Sequence, residues 1–381
     1  MAMGNRGDRL ASRTSVLFVC GYSAIYGGNF IPSLMRLESS IVSRGYNVIY
    51  LFPEKARERH WYQELQRLKK TVETGEIYGS RINFIRKLQH LIEKYNVGII
   101  HSHFCPILTL EVFALFNRKV RLYVHLHSDF TGGKTDVKTR MKNRLIYRIF
   151  ASRRVRFFSV SNALVKYNSH KITWIPNGLA LDRVFERSKC GDKEIRKKNR
   201  IEDSTVFCEM FGWTPWIKGV DIAVEAIKRL REKCGLDVKL GIVCGEEMST
   251  ETMPHWIEEH TSCSGFEEYL VYLPPIEDVF AYHEAADFLI SASRSEGFSY
   301  AILEMFSIGK GCIMSDIPGV SWATGFEGSY VFPSGDVEGC ARALMSAISY
   351  RKMRYNESAR RIKEDYSIDS WVHSIIMGYG I

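Results

Sequence analysis

Two glutamates in one short stretch carry the clearest chemical signal in this sequence. The stretch from Ser291 to Pro318 reads SASRSEGFSYAILEMFSIGKGCIMSDIP and holds Glu296 and Glu304, with seven residues between them. Its apolar pattern and glycines predict a strand, a turn, a helix and a second strand. The predicted parts are the strand Asp287–Ser293, the turn Arg294–Ser299, the helix Tyr300–Ile308 stopped by Gly309, and the strand Gly311–Asp316.

The surroundings of the two carboxylates suggest ligand binding. Glu304 lies among apolar helix residues, where an unpaired buried carboxylate costs several kcal/mol, so it must reach solvent or a hydrogen-bond donor such as a ligand diol. Glu296 follows the carboxyl end of a strand, where open α/β sheets bind ligands. The amides of Gly297, Phe298 and Ser299 lie at a helix N-terminus, where anions bind. The alternative is that both glutamates are ordinary surface residues.

Histidines end two other predicted strands. NVGIIHSHF ends on His101 and His103, and VRLYVHLHSDF ends on His125 and His127. At the carboxyl ends of neighbouring strands they point toward the same crevice, where an imidazole can hydrogen-bond a substrate hydroxyl or transfer a proton. A lone histidine of this kind is more often structural. We favour His127, which is nearest its strand end, and then His103.

Two turns offer contacts to phosphate. Gly27 and Gly28 follow the first strand and let the backbone approach a ligand closely, although a tight connection explains them equally well. Lys218 lies in the turn TPWIKG ahead of a helix, where its ammonium and the helix amides can hold phosphate. The alternative is a solvated surface lysine.

Length and composition frame these motifs. The chain has 381 residues, 45% hydrophobic and 25% charged, as expected for a globular protein of more than one domain. Strands and helices alternate, which predicts doubly wound α/β domains. Helical patterns cover Glu58–Val72 and Arg81–Tyr95. The turn signal IPNG predicts domains at residues 1–180 and 181–364, with a final helix in 365–381 that packs back on the first domain.

The lack of targeting signals and of paired cysteine motifs argues against several classes of protein. No apolar run is long enough to cross a membrane, and the first residues lack the layout of a signal peptide, so we expect a cytoplasmic protein. The nine cysteines show no CxxC spacing, which indicates free thiols rather than disulfides or a zinc site.

A basic stretch interrupts the first half of the chain. The net charge is +9, and Lys134–Arg156 carries nine basic residues against Asp136 alone, interleaved with apolar residues. Such an amphipathic helix can lie on an anionic membrane, gaining about 1 kcal/mol per basic residue. The equal alternative is a solvated helix whose apolar stripe faces its own core. No nucleic-acid-binding motif accompanies the charge.

Five motifs together resemble retaining glycosyltransferase family 4, of GT-B fold. They span nearly the whole chain in the family's order, and only the SEGFSxxxLEM block is specific by itself. They read GG, VHLHSDF, IPNG, FGWTPWIKG and SRSEGFSYAILEMFSIGKGCIMSDIPG. The resemblance implies two Rossmann-like, doubly wound domains that face each other across a cleft.

The resemblance also implies roles for the matching residues. In such enzymes the counterpart of Glu296 contacts the donor sugar, that of Glu304 holds the ribose diol of a nucleotide sugar, and that of Lys218 contacts phosphate. His127 matches a histidine near the donor sugar. The backbone matches are the donor-contacting turn Gly297, Phe298 and Ser299 and the diphosphate-covering loop Gly27 and Gly28.

One position departs from the family pattern. Trp213 stands where members commonly have an arginine that neutralises the diphosphate together with the lysine. Either a nearby cation such as Arg294 substitutes, or helix amides hold more of the donor.

The implied activity is transfer of a hexosyl group from a nucleotide sugar, with UDP as the first expectation, to an acceptor hydroxyl with retention of configuration. We find no DxD motif, so we expect no metal or other cofactor. The expected acceptor is a saccharide or a lipid-linked sugar, in surface polysaccharide or glycolipid assembly on the inner face of the cell membrane. The alternatives are a GT-B sugar-nucleotide epimerase and a non-catalytic nucleotide-sugar-binding protein.

Overall fold

The computed structural model describes most of the chain. The described residues are 14–106, 108–128, 141, 145, 148–152, 154–167, 172–181, 192–263 and 267–381. Much of the predicted basic helix at 134–156 lies outside them.

The first half of the chain forms a parallel sheet of seven strands in the order β3-β2-β1-β4-β5-β6-β7. Its inner strands are apolar and buried on both faces, as expected when helices cover both sides of a parallel sheet. The strands are β1 (Ser15–Cys20), β2 (Asn47–Pro53), β3 (Thr71–Gly75), β4 (Val97–His103), β5 (Arg121–Leu126), β6 (Val155–Ser159) and β7 (Ile172–Trp174). The described helices are α1 (Phe30–Val42), α2 (His60–Arg67), α3 (Arg81–Tyr95), α4 (Thr109–Phe116) and α5 (Asn162–Tyr167).

The second half forms a parallel sheet of six strands in the order β10-β9-β8-β11-β12-β13. The two sheets confirm the predicted α/β fold with two doubly wound, Rossmann-like units. The strands are β8 (Val206–Phe211), β9 (Val238–Val243), β10 (Leu270–Leu273), β11 (Phe288–Ser291), β12 (Gly311–Asp316) and β13 (Ser329–Pro333). The helices are α6 (Asp192–Lys198), α7 (Pro215–Lys218), α8 (Val220–Cys234), α9 (Met253–His260), α10 (Phe280–Ala285), α11 (Tyr300–Ser307), α12 (Val337–Ile348), α13 (Asn356–Asp365) and α14 (Ile368–Tyr379).

Two predicted helices need correction. The helix expected over Glu58–Val72 is shorter, because Lys69 takes a left-handed backbone conformation with φ 56° and the chain then enters β3. The basic helix expected to reach Arg156 stops earlier, because β6 already begins at Val155. No helix among the described residues has the length and apolar character to cross a bilayer.

The last helix returns to the first half of the chain. Leu179 bonds to both ends of the turn that precedes α14, with N–O distances of 2.8 Å to Tyr366 and 2.9 Å from Ile368. Beyond that turn, α14 buries Trp371 and Tyr379 in the apolar cluster of the first sheet. The polypeptide therefore passes between its two halves twice, near Leu179 and near Ile368, and the two passages are hydrogen-bonded to each other. The exact domain limits, at residues 180 and 364, stay a prediction.

Gly178 of the IPNG turn is required by this crossing. A Cβ atom on Gly178 would lie 2.7 Å from Cβ of Trp371 and 2.8 Å from Cα of Ile368. Part of this contact is backbone, which a side-chain rotation cannot relieve. The turn is therefore a packing site for α14 as well as a linker.

We expect Gly178→Ala to loosen α14, at a cost of about 1–3 kcal/mol, which is typical of overpacking. Hydrogen exchange of residues 368–379 should become faster. Gly325→Ala is the matched control, because nothing lies within 4 Å of the added methyl group. Equal exchange in both variants would show that the crossing is not tightly packed.

Candidate active site

A cleft of about 730 Å³ separates the carboxyl ends of the two sheets. The volume is in the range of pockets that hold a small organic ligand. The first half contributes mainly the loop after β1, together with Lys55 and Phe104, and the second half contributes the loops after β8, β9, β10 and β11. Parallel α/β sheets bind ligands at this edge, so the cleft is the candidate site.

Six of the predicted site residues line the cleft, namely Gly28, Lys218, Glu296, Phe298, Ser299 and Glu304. The others lie outside its lining. Gly27 packs against α1, Gly297 faces the first half of the chain, and His103 is buried below the cleft floor. His127 is half-buried and stacks on Phe104, a lining residue, with ring centroids 4.0 Å apart.

Lys218 and Glu296 form a direct ion pair at the cleft wall. Lys218 ends α7, and Glu296 lies in the turn after β11, where Ser293 Oγ also donates to its carboxylate at 3.1 Å. The Lys218 ammonium also lies 5.5 Å from the centroid of the Trp213 ring. A cation and an anion in contact can together bind a group that presents a phosphate oxygen next to a hydroxyl.

Arg294 is directed away from the cleft. Its guanidinium forms two bonds to the carboxylate of Asp221, at 2.6 and 2.8 Å, and stacks 3.7 Å from the centroid of the Trp216 ring. A bidentate pair of this kind is among the stronger side-chain contacts. Its predicted role in substrate binding stays a prediction, and this geometry gives it no support.

Glu304 is buried, with 5% of its surface exposed, and protein groups satisfy its carboxylate. Asn29 Nδ2, at the start of α1, donates to Oε1, and His283 Nε2 lies 3.2 Å from Oε2. His283 Nδ1 in turn bonds to Glu209 in the middle of β8. We call Glu209, His283, Glu304 and Asn29 the buried polar chain. It runs from the centre of the second sheet to the first half of the protein.

The charges of the buried polar chain explain why its carboxylates are tolerated in the protein interior. Burial lowers the pKa of His283, but the neighbouring charge and hydrogen bond of Glu209, with Glu304 beyond, raise it overall to about 10. His283 is therefore an imidazolium between two carboxylates. A carboxylate has about four lone-pair positions, so Glu304 keeps the capacity to accept ligand hydroxyls on its cleft side.

Further contacts close the cleft between the two halves. Arg59 binds Glu246 at 2.9 Å, and Tyr26 OH donates to the carbonyl of Pro275 at 3.1 Å. Gly297 sits so close to the carbonyl of His127 that a Cβ atom would clash with it. The SEGF turn is therefore docked against the strand end that carries the predicted histidine.

The two predicted site histidines, His103 and His127, differ from His283 in being neutral. Burial, followed by the charges of neighbouring histidines, holds the pKa values of His103 and His127 well below the usual range. His103 Nδ1 and His127 Nε2 are hydrogen-bonded at 2.9 Å. At neutral pH His127 can act as a hydrogen-bonding group, while it carries no charge.

Sequence reasoning missed Glu209, His283 and Asn29. Glu209 gave a usable signal, because a charge inside the apolar run VFCEMF of a central strand must have a buried partner. His283 and Asn29 gave none, since His283 lies 74 positions from Glu209 and 21 from Glu304, and Asn29 lies 275 positions from Glu304.

Two known family models match the sequence of this chain. The family model described as Glycosyltransferase Family 4 matches residues 33–183, and the model described as Glycosyl transferases group 1 matches residues 204–349. No curated protein matches the sequence significantly.

Several solved structures share the fold over nearly their whole length. A glycosyltransferase from Rickettsia africae is 16% identical, with a TM-score of 0.74 over 96% of this chain and 98% of that one. Sucrose-phosphate synthase from Thermosynechococcus elongatus is 13% identical, with a TM-score of 0.76 and coverages of 96% and 98%. HepE from Anabaena, in complex with UDP-glucose, is 16% identical, with a TM-score of 0.75 and coverages of 97% and 100%.

The two facing Rossmann-like units and these matches define a glycosyltransferase of the GT-B type. Within that class, the chain belongs to the family of group 1, family 4 type glycosyltransferases, which confirms the resemblance seen in its sequence.

We expect His283→Gln to destabilise the second half by about 3–5 kcal/mol, because it leaves two buried carboxylates without their cation. Urea denaturation measures the loss. His255→Gln is the matched control, since the side chain of His255 is 81% exposed. A loss of less than about 1 kcal/mol in the free energy of unfolding would contradict a charged His283 in the buried polar chain.

The same histidine predicts a pH dependence. Its pKa rises from 6.5 in the unfolded chain to about 10 on folding, so its stabilising contribution is complete below pH 6.5 and is lost as the pH rises toward 10. The free energy of unfolding should therefore fall more steeply between pH 7 and 9 in the native protein than in His283→Gln. Parallel curves would mean that His283 is not charged.

Proposed function

We propose that this protein transfers a sugar from a nucleoside-diphosphate sugar, with UDP as the leading nucleotide, to an acceptor hydroxyl with retention of anomeric configuration. The observation that carries the proposal is the placement of Lys218, Glu296 and Glu304 on one wall of the cleft. One extended donor can reach all three groups. HepE, which has a similar fold, is described in complex with UDP and with UDP-glucose.

The donor orientation follows from the charges. A ribose diol fits Glu304, because both hydroxyls can donate to a carboxylate that the buried polar chain holds in place. The phosphate next to the sugar fits Lys218, and the sugar hydroxyls fit Glu296. Lys218 and Glu296 are in contact with each other, so they can bind two neighbouring groups of the donor, the phosphate and the sugar joined to it.

Trp213 changes how the diphosphate is held. It lines the cleft at the position of the family's arginine, with 45% of its surface exposed. Since Arg294 is occupied by Asp221, we propose that Lys218 and the amides of the SEGF turn hold the diphosphate. The turn precedes α11, whose N-terminus favours an anion.

The reaction is proposed to proceed on one face of the sugar. The acceptor oxygen bonds to the anomeric carbon, the bond to the phosphate oxygen breaks, and the acceptor proton passes to that leaving oxygen. Lys218 and the turn amides stabilise the negative charge of the leaving diphosphate. Glu296 faces the positive charge that develops on the sugar, and closure of the two halves excludes water.

Incubation with a panel of nucleotide sugars and candidate acceptors tests the activity. Nucleoside diphosphate release together with a product of retained configuration is the expected result. Epimerised donor would indicate an epimerase instead, and tight donor binding without turnover would indicate a binding protein.

Two substitutions separate the roles of the glutamates. We expect Glu296→Ala to lower kcat about 100-fold, because it removes a group that acts on the developing charge. Glu304→Gln should raise the donor KM about 10-fold or more, because it weakens charged hydrogen bonds to the ribose. Glu259→Ala, an exposed change on α9, is the control. Unchanged kinetics in both site variants would show that the pair is ordinary surface carboxylate.

We also propose that the first half docks on an anionic membrane to receive a lipid-linked sugar. Met141, Leu145 and Ile149 of the basic stretch are 57–66% exposed, so these apolar side chains do not face the protein's own core. Exposed apolar side chains within a stretch of basic sequence fit a lipid interface.

Vesicle cosedimentation tests this contact. Anionic vesicles should bind the protein, and replacing the three exposed side chains by glutamine should weaken binding at least several-fold. Met377→Gln is the control, since Met377 is 67% exposed on α14. Equal binding to neutral and anionic lipid, or none, would overturn the proposal.

A further inference from the structure

Three buried histidines converge beneath the cleft floor. His101 and His103 are two residues apart in β4, so their side chains share one face of the sheet, and His125 pairs directly with His103 from β5. They are 0%, 0% and 2% exposed. One ring nitrogen from each lies within 4.8 Å of one from each of the others.

Four ring nitrogens of this cluster have no hydrogen-bond partner among the described residues. Among the described residues, none is found for Nε2 of His101, for Nε2 of His103 or for either nitrogen of His125. A neutral imidazole carries one donor and one acceptor, and leaving them unmade in the interior is costly.

Two of the three rings are held through Nδ1 in the manner of metal ligands. Tyr379 OH lies 2.6 Å from Nδ1 of His101, and His127 Nε2 lies 2.9 Å from Nδ1 of His103. Histidines that bind a metal characteristically bond through the other nitrogen to an oriented partner, which fixes the ring.

We propose that His101, His103 and His125 form a binding site for one divalent transition metal ion, with Zn²⁺ as the best-fitting ion. Three imidazole nitrogens are an established zinc ligand set, with water or another ligand in the fourth position. Bonds of about 2.0–2.1 Å require the three nitrogens, which now lie within 4.8 Å of one another, to move closer together. The ion would join β4 to β5 and, through Tyr379, to α14.

This site is separate from the donor. None of the three histidines lines the cleft, and the proposed transfer step uses Lys218 and backbone amides for the diphosphate. The ion would stabilise the first half and orient His103, which in turn bonds His127. Metal binding can therefore fail while the proposed transfer activity persists, and the reverse also holds.

Metal binding by the intact protein tests the proposal. The protein is stripped with a chelator, its thiols are alkylated under native conditions, and it is dialysed against Zn²⁺. Thiol alkylation matters because the nine cysteines are competing ligands. One zinc per chain is expected by elemental analysis, together with a melting temperature that rises with Zn²⁺ concentration.

Co²⁺ in place of Zn²⁺ reports the ligands directly. The visible spectrum should show the intense bands of a four-coordinate ion, with no sulfur-to-cobalt charge transfer. Binding of less than about one zinc per five chains, or a sulfur signature, would overturn the proposal. This measurement needs no variant, so it decides the question even if substitutions impair folding.

Variants assign the ligands. His125→Gln should abolish stoichiometric binding, and Tyr379→Phe should weaken the affinity about 10- to 100-fold by removing the partner of His101. Tyr123→Phe is the matched control, because its hydroxyl bonds to the carbonyl of residue 379 and not to the cluster. His90→Gln, an exposed histidine on α3, is a second control. Wild-type zinc binding in His125→Gln would contradict the assignment.

Discussion

The buried polar chain is the constraint on which the cleft depends. Glu209 sits at the centre of the second sheet, and neither it nor His283 is exposed to solvent. Each charge alone would be prohibitive there, but a protonated His283 between two carboxylates offsets most of the cost. The buried polar chain thereby fixes the carboxylate of Glu304 at the wall of the cleft.

This arrangement also places the proposed nucleotide site at a contact between the two halves of the protein. Asn29 belongs to the first half and donates to the same carboxylate that we propose for the ribose. A bound nucleotide would share or replace that bond, so the ligand is positioned to influence closure. The contacts of Arg59 with Glu246 and of Tyr26 with Pro275 hold the same boundary from other sides. The cleft is thus assembled from both halves and is not a property of either alone.

The sequence predicted what depends on local pattern. The βαβ unit around Glu296 and Glu304 was predicted closely, because apolar periodicity and the stop at Gly309 are local signals. Glu304 has hydrogen-bonding partners, as its apolar helix requires, but they are His283 and Asn29 of the protein itself. Such partners depend on tertiary contacts between distant positions, which a single sequence does not reveal. The prediction of a helix over Glu58–Val72 was wrong at its C-terminal end for a related reason. Pairing with β2 makes the end of that segment a strand.

The central claim is that one nucleotide sugar spans Glu304, Lys218 and Glu296. The most direct measurement is a crystal structure of the protein with a non-transferable analogue of the donor. The account predicts the ribose hydroxyls on Glu304, the phosphate next to the sugar on Lys218, and the sugar hydroxyls on Glu296, all within hydrogen-bond distance. A nucleotide bound elsewhere, or bound in the cleft without contact to Glu304 and Lys218, would contradict it.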